Sequence, residues 1–404
     1  MFAFYFLTAC ISLKGVFGSY NGLGLTPQMG WDNWNTFACD VSEQLLLDTA
    51  DRISDLGLKD MGYKYIILDD CWSSGRDSDG FLVADEQKFP NGMGHVADHL
   101  HNNSFLFGMY SSAGEYTCAG YPGSLGREEE DAQFFANNRV DYLKYDNCYN
   151  KGQFGTPESY RKMSDALNKT GRPIFYSCNW GLYGSGIANS WRMSGDVTAE
   201  FTRPDSCPDG YYAGFSIMNI LNKAAPMGQN AGVGGWNDLD NLEVGVGNLT
   251  DDEEKAHFSM WAMVKSPLII GANVNNLKAS SYSIYSQASV IAINQDSNGI
   301  PARVSDTDEY GEIWSGPLDN GDQVVALLNG GSVSRPMNTT LEIDSLGKKL
   351  TSTDDLWANR VTASIGRKTG LYEYKDGLKN RLGQKGSLIL NVPAHIAFRL
   401  RPSS

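Results

Sequence analysis

The chain has 404 residues, of which 41% are hydrophobic and 11% aromatic, and this supplies enough apolar material for a large buried core. A chain of this length exceeds one ordinary domain unless a large α/β barrel is part of it. Lys and Arg number 33 against 47 Asp and Glu, so the formal net charge is −14 at pH 7. No basic block interrupts this acidity, and a nucleic-acid partner is therefore disfavoured, because phosphate binding needs a basic surface.

The first residues have the pattern of an export signal. An apolar run from Phe2 to Leu13 is too short to span a bilayer, and residues 16–18 offer a cleavage site. The usual positive charge at the start is missing, since Lys14 is the first basic residue. No later stretch approaches about 18 uninterrupted apolar residues. We predict a signal peptide over residues 1–18 and a secreted mature protein (extracellular, or in the periplasmic space or cell wall) with no membrane partner.

Glycosylation sequons and cysteines agree with export. Four N-x-S/T sequons could carry N-glycans in the secretory route, and they begin at Asn102, Asn168, Asn248 and Asn338. Of seven cysteines, Cys10 lies in the signal, and an even number of six remains, which favours disulfides in an oxidising compartment. Zinc is the alternative, but no pair has C-x2–4-C spacing and no histidine lies near a cysteine. We expect no metal and no cofactor.

From about residue 25 to residue 300, short apolar runs alternate with amphipathic stretches. The runs are largely β-branched or aromatic, as strands covered on both faces should be, and they are Tyr65–Leu68, Leu106–Tyr110, Val140–Tyr145, Ile174–Ser177 and Pro267–Ile270. A helix is predicted from Ser42 to Gly57, and Thr250 with Glu253 forms a capping box before another. This alternation predicts an α/β fold, a (β/α)8 TIM barrel over residues 19–299.

The pattern changes after Gly299. Residues 312–314 and 324–328 form a predicted hairpin, with Asn320-Gly321 at its turn, and short strands follow at Leu388–Val392 and Ile396–Leu400. Residues 300–404 are therefore predicted to form a C-terminal antiparallel β-sandwich domain.

Carboxylates recur where the predicted strands end, which is where TIM barrels carry their chemistry. They are Asp69, Asp70, Asp146, Asp196, Asp238 and Asp240. A helix N-cap is the alternative for a single Asp after a strand, and it applies most to Asp238 or Asp240. Phosphate-loop, zinc-protease and serine-hydrolase motifs are missing from the sequence. Two carboxylates beside aromatic platforms, without a metal, are what cleavage of a glycosidic bond needs.

Four motifs then carry a specific resemblance. They are MGWDNWN at Met29–Asn35, LDDCW at Leu68–Trp72, YLKYDNC at Tyr142–Cys148 and GGWND at Gly234–Asp238. Together they resemble the α-galactosidases of glycoside hydrolase family 27, the secreted fungal members in particular, and the likeness continues into the C-terminal domain. The resemblance implies a retaining, exo-acting enzyme that removes terminal α-D-galactosyl residues from melibiose-type galactosides.

The resemblance assigns the reaction to two aspartates. Asp146 would be the nucleophile and Asp196 the general acid/base, with their carboxyl groups about 5–5.5 Å apart. Lys144 lies on the same side of a strand as Asp146, and its cation would keep Asp146 ionised. Asp196 donates a proton first, so its pKa is expected above that of an ordinary Asp.

The resemblance also assigns the sugar pocket. Asp69 and Asp70 would accept hydrogen bonds from the 4- and 6-hydroxyls, and Arg192 would contact the 2-position. Further members would be Trp34 for stacking, Cys178 and Trp180 beside the 2-hydroxyl, and Gln229 before the seventh strand. The implied disulfides are Cys39–Cys71 and Cys118–Cys148.

The chain departs from its fungal relatives in loops. The segment 203–212 is shorter than theirs and keeps only Cys207, so Cys178 and Cys207 have no assigned partner, and short pieces are expected to be missing elsewhere. These departures leave the four motifs intact.

Two other functions stay open. An α-N-acetylgalactosaminidase would share the fold and both aspartates, but residues 179–182 are bulky where an N-acetyl group needs space. A non-catalytic galactose-binding protein is disfavoured because both aspartates are retained. The expected partners are small galactosides, and a homo-oligomer is left open.

Overall fold

The computed structural model describes residues 21–150, 157–179, 181–203, 214–307 and 311–330, and beyond these Trp357 and the C-terminal strand segments named below. The predicted signal peptide, Trp180 and Cys207 lie outside the described residues. Within them, no helix is both long and apolar enough to cross a membrane.

Eight parallel strands form one sheet. In chain order they are β1 (Met29–Asp32), β2 (Tyr65–Leu68), β5 (Leu106–Ser112), β6 (Tyr142–Asp146), β7 (Phe175–Cys178), β8 (Ser190–Arg192), β9 (Trp236–Asp238) and β10 (Leu268–Ile270). A small antiparallel hairpin, β3 (Ser73–Arg76) with β4 (Leu82–Ala84), follows β2. The first strand pairs with both β2 and β10, and a bridge from Leu242 to Ile270 joins the segment after β9 to β10. This is the predicted (β/α)8 barrel.

Helices lie between the strands. They are α1 (Trp34–Phe37), α2 (Glu43–Asp55), α3 (Gly92–Asn102), α4 (Glu128–Asn137), α5 (Pro157–Lys169), α6 (Ile217–Ala224), α7 (Asp251–Met263), α8 (Ala279–Tyr285) and α9 (Ala288–Asn294). The Ser42 side chain accepts the Leu45 N–H at the start of α2, and Gly57 has a φ of +71° just beyond its end. The capping box of Thr250 and Glu253 begins α7 as predicted.

The five predicted strands are present at the five apolar runs. Such runs are typical of parallel strands that are covered on both faces. The sequence pattern did not predict β1, β8 and β9. Each has only three or four residues, and their compositions (MGWD, SWR and WND) lack an apolar run, although all their residues are buried.

The C-terminal part is antiparallel. Its strands are β11 (Arg303–Thr307), β12 (Gly311–Pro317), β13 (Gln323–Asn329), β14 (Arg335–Thr340), β15 (Leu350–Asp355), β16 (Arg360–Ser364), β17 (Leu371–Glu373), β18 (Lys379–Arg381), β19 (Ser387–Val392) and β20 (Ile396–Pro402). Six of them form one sheet in the order β11-β12-β13-β20-β15-β16, and β14 pairs with β19. The predicted hairpin is β12–β13, and the β-sandwich class is confirmed.

Helix α7 connects the two parts. Its first two residues are exposed, but every residue from Ala256 to Met263 is buried, so this part of the helix has no solvent-facing side. The Ser259 hydroxyl accepts a hydrogen bond from Trp357 Nε1 at 3.1 Å, and Met263 O accepts the Ala302 N–H at 2.9 Å.

Gly30 supports a test of barrel packing. A Cβ at this position of β1 would lie 2.3 Å from the backbone oxygen of Tyr65 on β2, so Gly30→Ala must displace a strand. We expect a loss of about 3 kcal/mol of unfolding free energy, measured by urea denaturation. Gly94→Ala in α3 is the control, because its Cβ would meet only the side-chain ends of Arg139 at 3.4 Å and Asn138 at 3.9 Å, and it should gain about 0.5–1 kcal/mol. Equal stability of the two variants would contradict this packing.

Candidate active site

A polar pocket opens among the carboxyl ends of the barrel strands. Its lining includes Asp32, Lys144, Asp146, Cys178, Asn179, Arg192, Asp238, Asp240 and Asn241. Parallel strands all end at the same rim, which is why residues far apart in sequence meet here. Apolar side chains of Ile67, Tyr142 and Ile269 lie beneath them.

Lys144 is the central cation of the pocket. Its Nζ lies 2.5 Å from Asp69 Oδ2 and 3.3 Å from Asp32 Oδ2. Burial opposes the charge, but Asp32 and Asp69 together raise the pKa of Lys144 well above its ordinary value. Lys144 and Asp146 both line the pocket, as their spacing on β6 predicts, yet the ammonium pairs with the carboxylates that follow β1 and β2. Lys144 forms ion pairs with Asp69 and Asp32, and the expectation that its charge keeps Asp146 ionised stays a prediction.

Asp146 is surrounded by hydrogen-bond donors. Its Oδ1 accepts from the Asn147 backbone N–H at 2.7 Å and from Asn179 Nδ2 at 2.5 Å, and its Oδ2 accepts from the Tyr110 hydroxyl at 2.8 Å. Cys118 Sγ lies 3.2 Å from the same Oδ2. Three hydrogen-bond donors therefore fix the position of this carboxylate.

Both implied disulfides are present, and they tie loops beside these aspartates. Cys39 is bonded to Cys71, directly after Asp70, and Cys118 is bonded to Cys148, two residues after Asp146. Asp70 is buried, and its carboxylate accepts the backbone N–H groups of Cys71 at 2.7 Å and Ala119 at 2.9 Å. The loops after β2, β5 and β6 are thus held together around one side of the pocket.

Arg192 is buried between two carboxylates. Its Nη2 lies 2.7 Å from Asp240 Oδ2 and 3.0 Å from Asp196 Oδ1. The Asp196 side chain is 71% exposed, whereas that of Asp240 is 7% exposed. The Arg192 guanidinium lowers the pKa of Asp196. This direction is opposite to the raised pKa that was expected, because the positive charge of Arg192 favours the ionised carboxylate.

The structure describes Gln229 and Trp34, two of the other residues assigned to the sugar pocket, but not Trp180. Gln229 is exposed in a short 3-10 helix before β9, and its assignment to the sugar pocket stays a prediction. Trp34 begins α1, with its backbone N–H donated to Asp32 Oδ1 at 2.8 Å. Trp180 lies outside the described residues, and its neighbour Cys178 is buried at the end of β7.

The structure adds residues that the sequence reasoning left without a role. Asp32 contacts Lys144, and Tyr110 and Asn179 contact Asp146. Asp240 binds Arg192 and is not a helix N-cap, since Thr250 caps the helix that follows. Asp32 and Asp240 could have been found from the sequence, because both lie in or directly after motifs at strand ends. Nothing in the sequence distinguished Tyr110 from the other aromatic residues of the predicted strands.

Among the described residues, one group could in principle hold a metal ion: Cys118, Asp146 and Cys148. Its two sulfur atoms are joined in a disulfide, so it offers no thiolate ligand. This group does not fit a metal site.

Comparison with known proteins decides the family. The family description α-galactosidase A matches residues 26–296, and the α-galactosidase C-terminal β-sandwich domain matches residues 308–396. The chain belongs to the α-galactosidase family. It is a glycoside hydrolase, and the resemblance drawn from its motifs is confirmed.

Individual relatives agree with this. The chain is 81% identical to α-galactosidase 1 of Saccharomyces cerevisiae, with all of both chains covered. That alignment runs over 471 positions, more than the 404 residues of this chain, so the relative has segments that this chain lacks. A structure of the Saccharomyces cerevisiae enzyme with raffinose is 74% identical, with a TM-score of 0.83 and coverage of 96% of this chain and 100% of that one. α-Galactosidase I from Mortierella vinacea is 42% identical, with a TM-score of 0.85 and coverage of 94% and 98%.

Asp69→Asn tests the pairing around Lys144. The amide removes a charge from a buried ion pair and one acceptor from the pocket, so inhibition by free galactose should weaken about 10- to 100-fold. Asp55→Asn, an exposed position on α2, is the control and should leave inhibition unchanged. An unchanged inhibition constant in a folded Asp69→Asn protein would contradict a role of Asp69 in the pocket.

Proposed function

We propose that the protein is a retaining, exo-acting α-galactosidase in which Asp146 is the nucleophile and Asp196 the general acid/base. The observation that carries the proposal is the hydrogen bonding of Asp146. A carboxylate with three donors, fixed at a strand end inside a polar pocket, is prepared to attack and keeps one oxygen lone pair for the anomeric carbon.

In the first step, an Asp146 oxygen forms a bond to the anomeric carbon as the bond to the leaving oxygen breaks. Asp196 gives its proton to that oxygen, and a β-linked galactosyl ester on Asp146 results. In the second step, Asp196 takes a proton from water. The water oxygen attacks the same carbon as the ester bond to Asp146 breaks, and α-galactose is released. Two inversions give net retention.

Asp196 must hold a proton before the first step, although the Arg192 guanidinium lowers its pKa. Most of its side chain is exposed, so a bound galactoside would cover it and remove water. Desolvation favours the neutral carboxyl group, and a contact of Arg192 with the 2-position of the sugar would draw the cation away. Substrate binding is thus proposed to produce the protonated acid.

Sugar recognition is assigned to the acidic residues that follow β2 and to Lys144 on β6. Asp69 and Asp70 are buried acceptors, and Lys144 is a partly buried donor that contacts Asp69. A site of this kind favours the axial 4-hydroxyl of galactose, because a sugar without it would leave buried polar groups unpaired. Trp34 and Cys178 are proposed to complete the pocket, and raffinose, which was bound to the Saccharomyces cerevisiae relative, is a candidate substrate.

The domain and export assignments belong to this proposal. Residues 1–18 would be removed as a signal peptide, 19–299 would form the catalytic domain and 300–404 the β-sandwich. Three of the four sequons have an exposed asparagine, namely Asn102, Asn168 and Asn248, which fits glycans on a secreted protein. The side chain of Asn338 is outside the described residues.

The proposal is tested by NMR of an aryl α-galactoside within seconds of adding enzyme. We expect α-galactose as the first product, with the β-anomer appearing only by mutarotation. The matching aryl α-N-acetylgalactosaminide should react at least about 100-fold more slowly, because no space for an N-acetyl group is expected.

Asp146→Asn is the control variant and should lose at least about 10⁴-fold in kcat, since a neutral amide cannot form the ester. Initial release of β-galactose would overturn the retaining mechanism. Comparable rates on both aryl glycosides would instead favour the α-N-acetylgalactosaminidase alternative.

A further inference from the structure

Asp240 holds the cation that faces the general acid. Its Oδ2 lies 2.7 Å from Arg192 Nη2, the same nitrogen that lies 3.0 Å from Asp196 Oδ1. Arg192 and Asp240 are both buried, whereas Asp196 is mostly exposed. One guanidinium nitrogen therefore links a buried carboxylate to a mostly exposed one.

Asp240 also holds the backbone that carries Asp196. Its Oδ2 accepts the Val197 N–H at 2.8 Å, and its Oδ1 accepts the Asn241 N–H at 2.8 Å. The backbone oxygen of Asp240 accepts Trp261 Nε1 at 2.8 Å, and the residue has a φ of +83°. A non-glycine residue is kept in this conformation only where its surroundings determine it, and such positions cluster at functional sites.

We propose that Asp240 is a positioning residue for the general acid, holding Arg192 and the Val197 backbone so that Asp196 faces the leaving oxygen. The inference rests on the proposed role of Asp196. It requires an aspartate rather than an asparagine, because both carboxylate oxygens accept hydrogen bonds. An amide nitrogen at either place would face another donor.

Electrostatics give Asp240 a second effect on the same acid. The groups that face it are Arg192 from β8, Asp196 beyond β8, Lys144 from β6, Asp238 from β9 and Glu243 farther along its own segment. Because Asp240 shares the Arg192 charge, it limits how far Arg192 lowers the pKa of Asp196. Without the Asp240 charge, Asp196 would ionise at lower pH.

Leaving groups of graded acidity test this inference with Asp240→Asn. A dinitrophenyl α-galactoside needs little protonation, so kcat/KM should change less than about three-fold. A phenyl α-galactoside needs the acid, and its kcat/KM should fall about 30-fold or more. The basic limb of its pH profile should also move about one unit to lower pH. A merely structural role would lower both substrates equally and leave the pH profile in place, and that result would overturn the inference.

Asp146→Asn, measured in parallel, separates this inference from the proposed function. It should lose activity on both substrates, and retained activity would overturn the nucleophile assignment without bearing on Asp240.

A second variant covers the case in which Asp240→Asn does not fold. Val197→Pro removes the donated N–H. The backbone hydrogen bonds that join this segment to Phe215 use Asp196 O and Thr198 N, so they do not need the Val197 N–H. The variant should show the same dependence on the leaving group, with a smaller loss. A uniform loss on both substrates would again overturn the inference.

Discussion

The site depends on burying several carboxylates around two cations. Lys144 lies between Asp32 and Asp69, and Arg192 lies between Asp196 and Asp240. Buried like charges are tolerated only when such partners and hydrogen bonds satisfy them. Asp146 is not among these ion pairs, and neutral donors hold it instead. The barrel thereby keeps one carboxylate available for bond formation while its neighbours are neutralised.

The barrel makes this arrangement possible because short parallel strands end together. Lys144 and Asp146 alternate with buried Leu143 and Tyr145 on β6, so both polar residues face the pocket. The disulfides then fix the loops that begin at these strand ends. Local rigidity of this kind keeps reacting groups in place without help from the substrate.

Sequence reasoning could place the inward-facing residues but not their partners. Asp69, Lys144 and Arg192 follow from strand ends and motifs, since strand periodicity is a local property. The partner of each cation is set by packing between strands far apart in sequence, as with Lys144 and Asp69. The position of Asp240 depends on a backbone turn with positive φ, which no local sequence pattern predicted. Gln229 likewise had no local pattern to support its assignment.

The central claim is that Asp146 itself attacks the anomeric carbon, and azide rescue tests it most directly. With the carboxylate removed in Asp146→Gly, azide should occupy its place and convert an activated aryl α-galactoside to β-galactosyl azide by one inversion. Asp196→Gly should give α-galactosyl azide, because Asp146 still forms the ester that azide then opens. The anomeric configuration of each azide, read by NMR, decides between the roles. β-Galactosyl azide from Asp196→Gly, or the α-anomer from Asp146→Gly, would contradict the account.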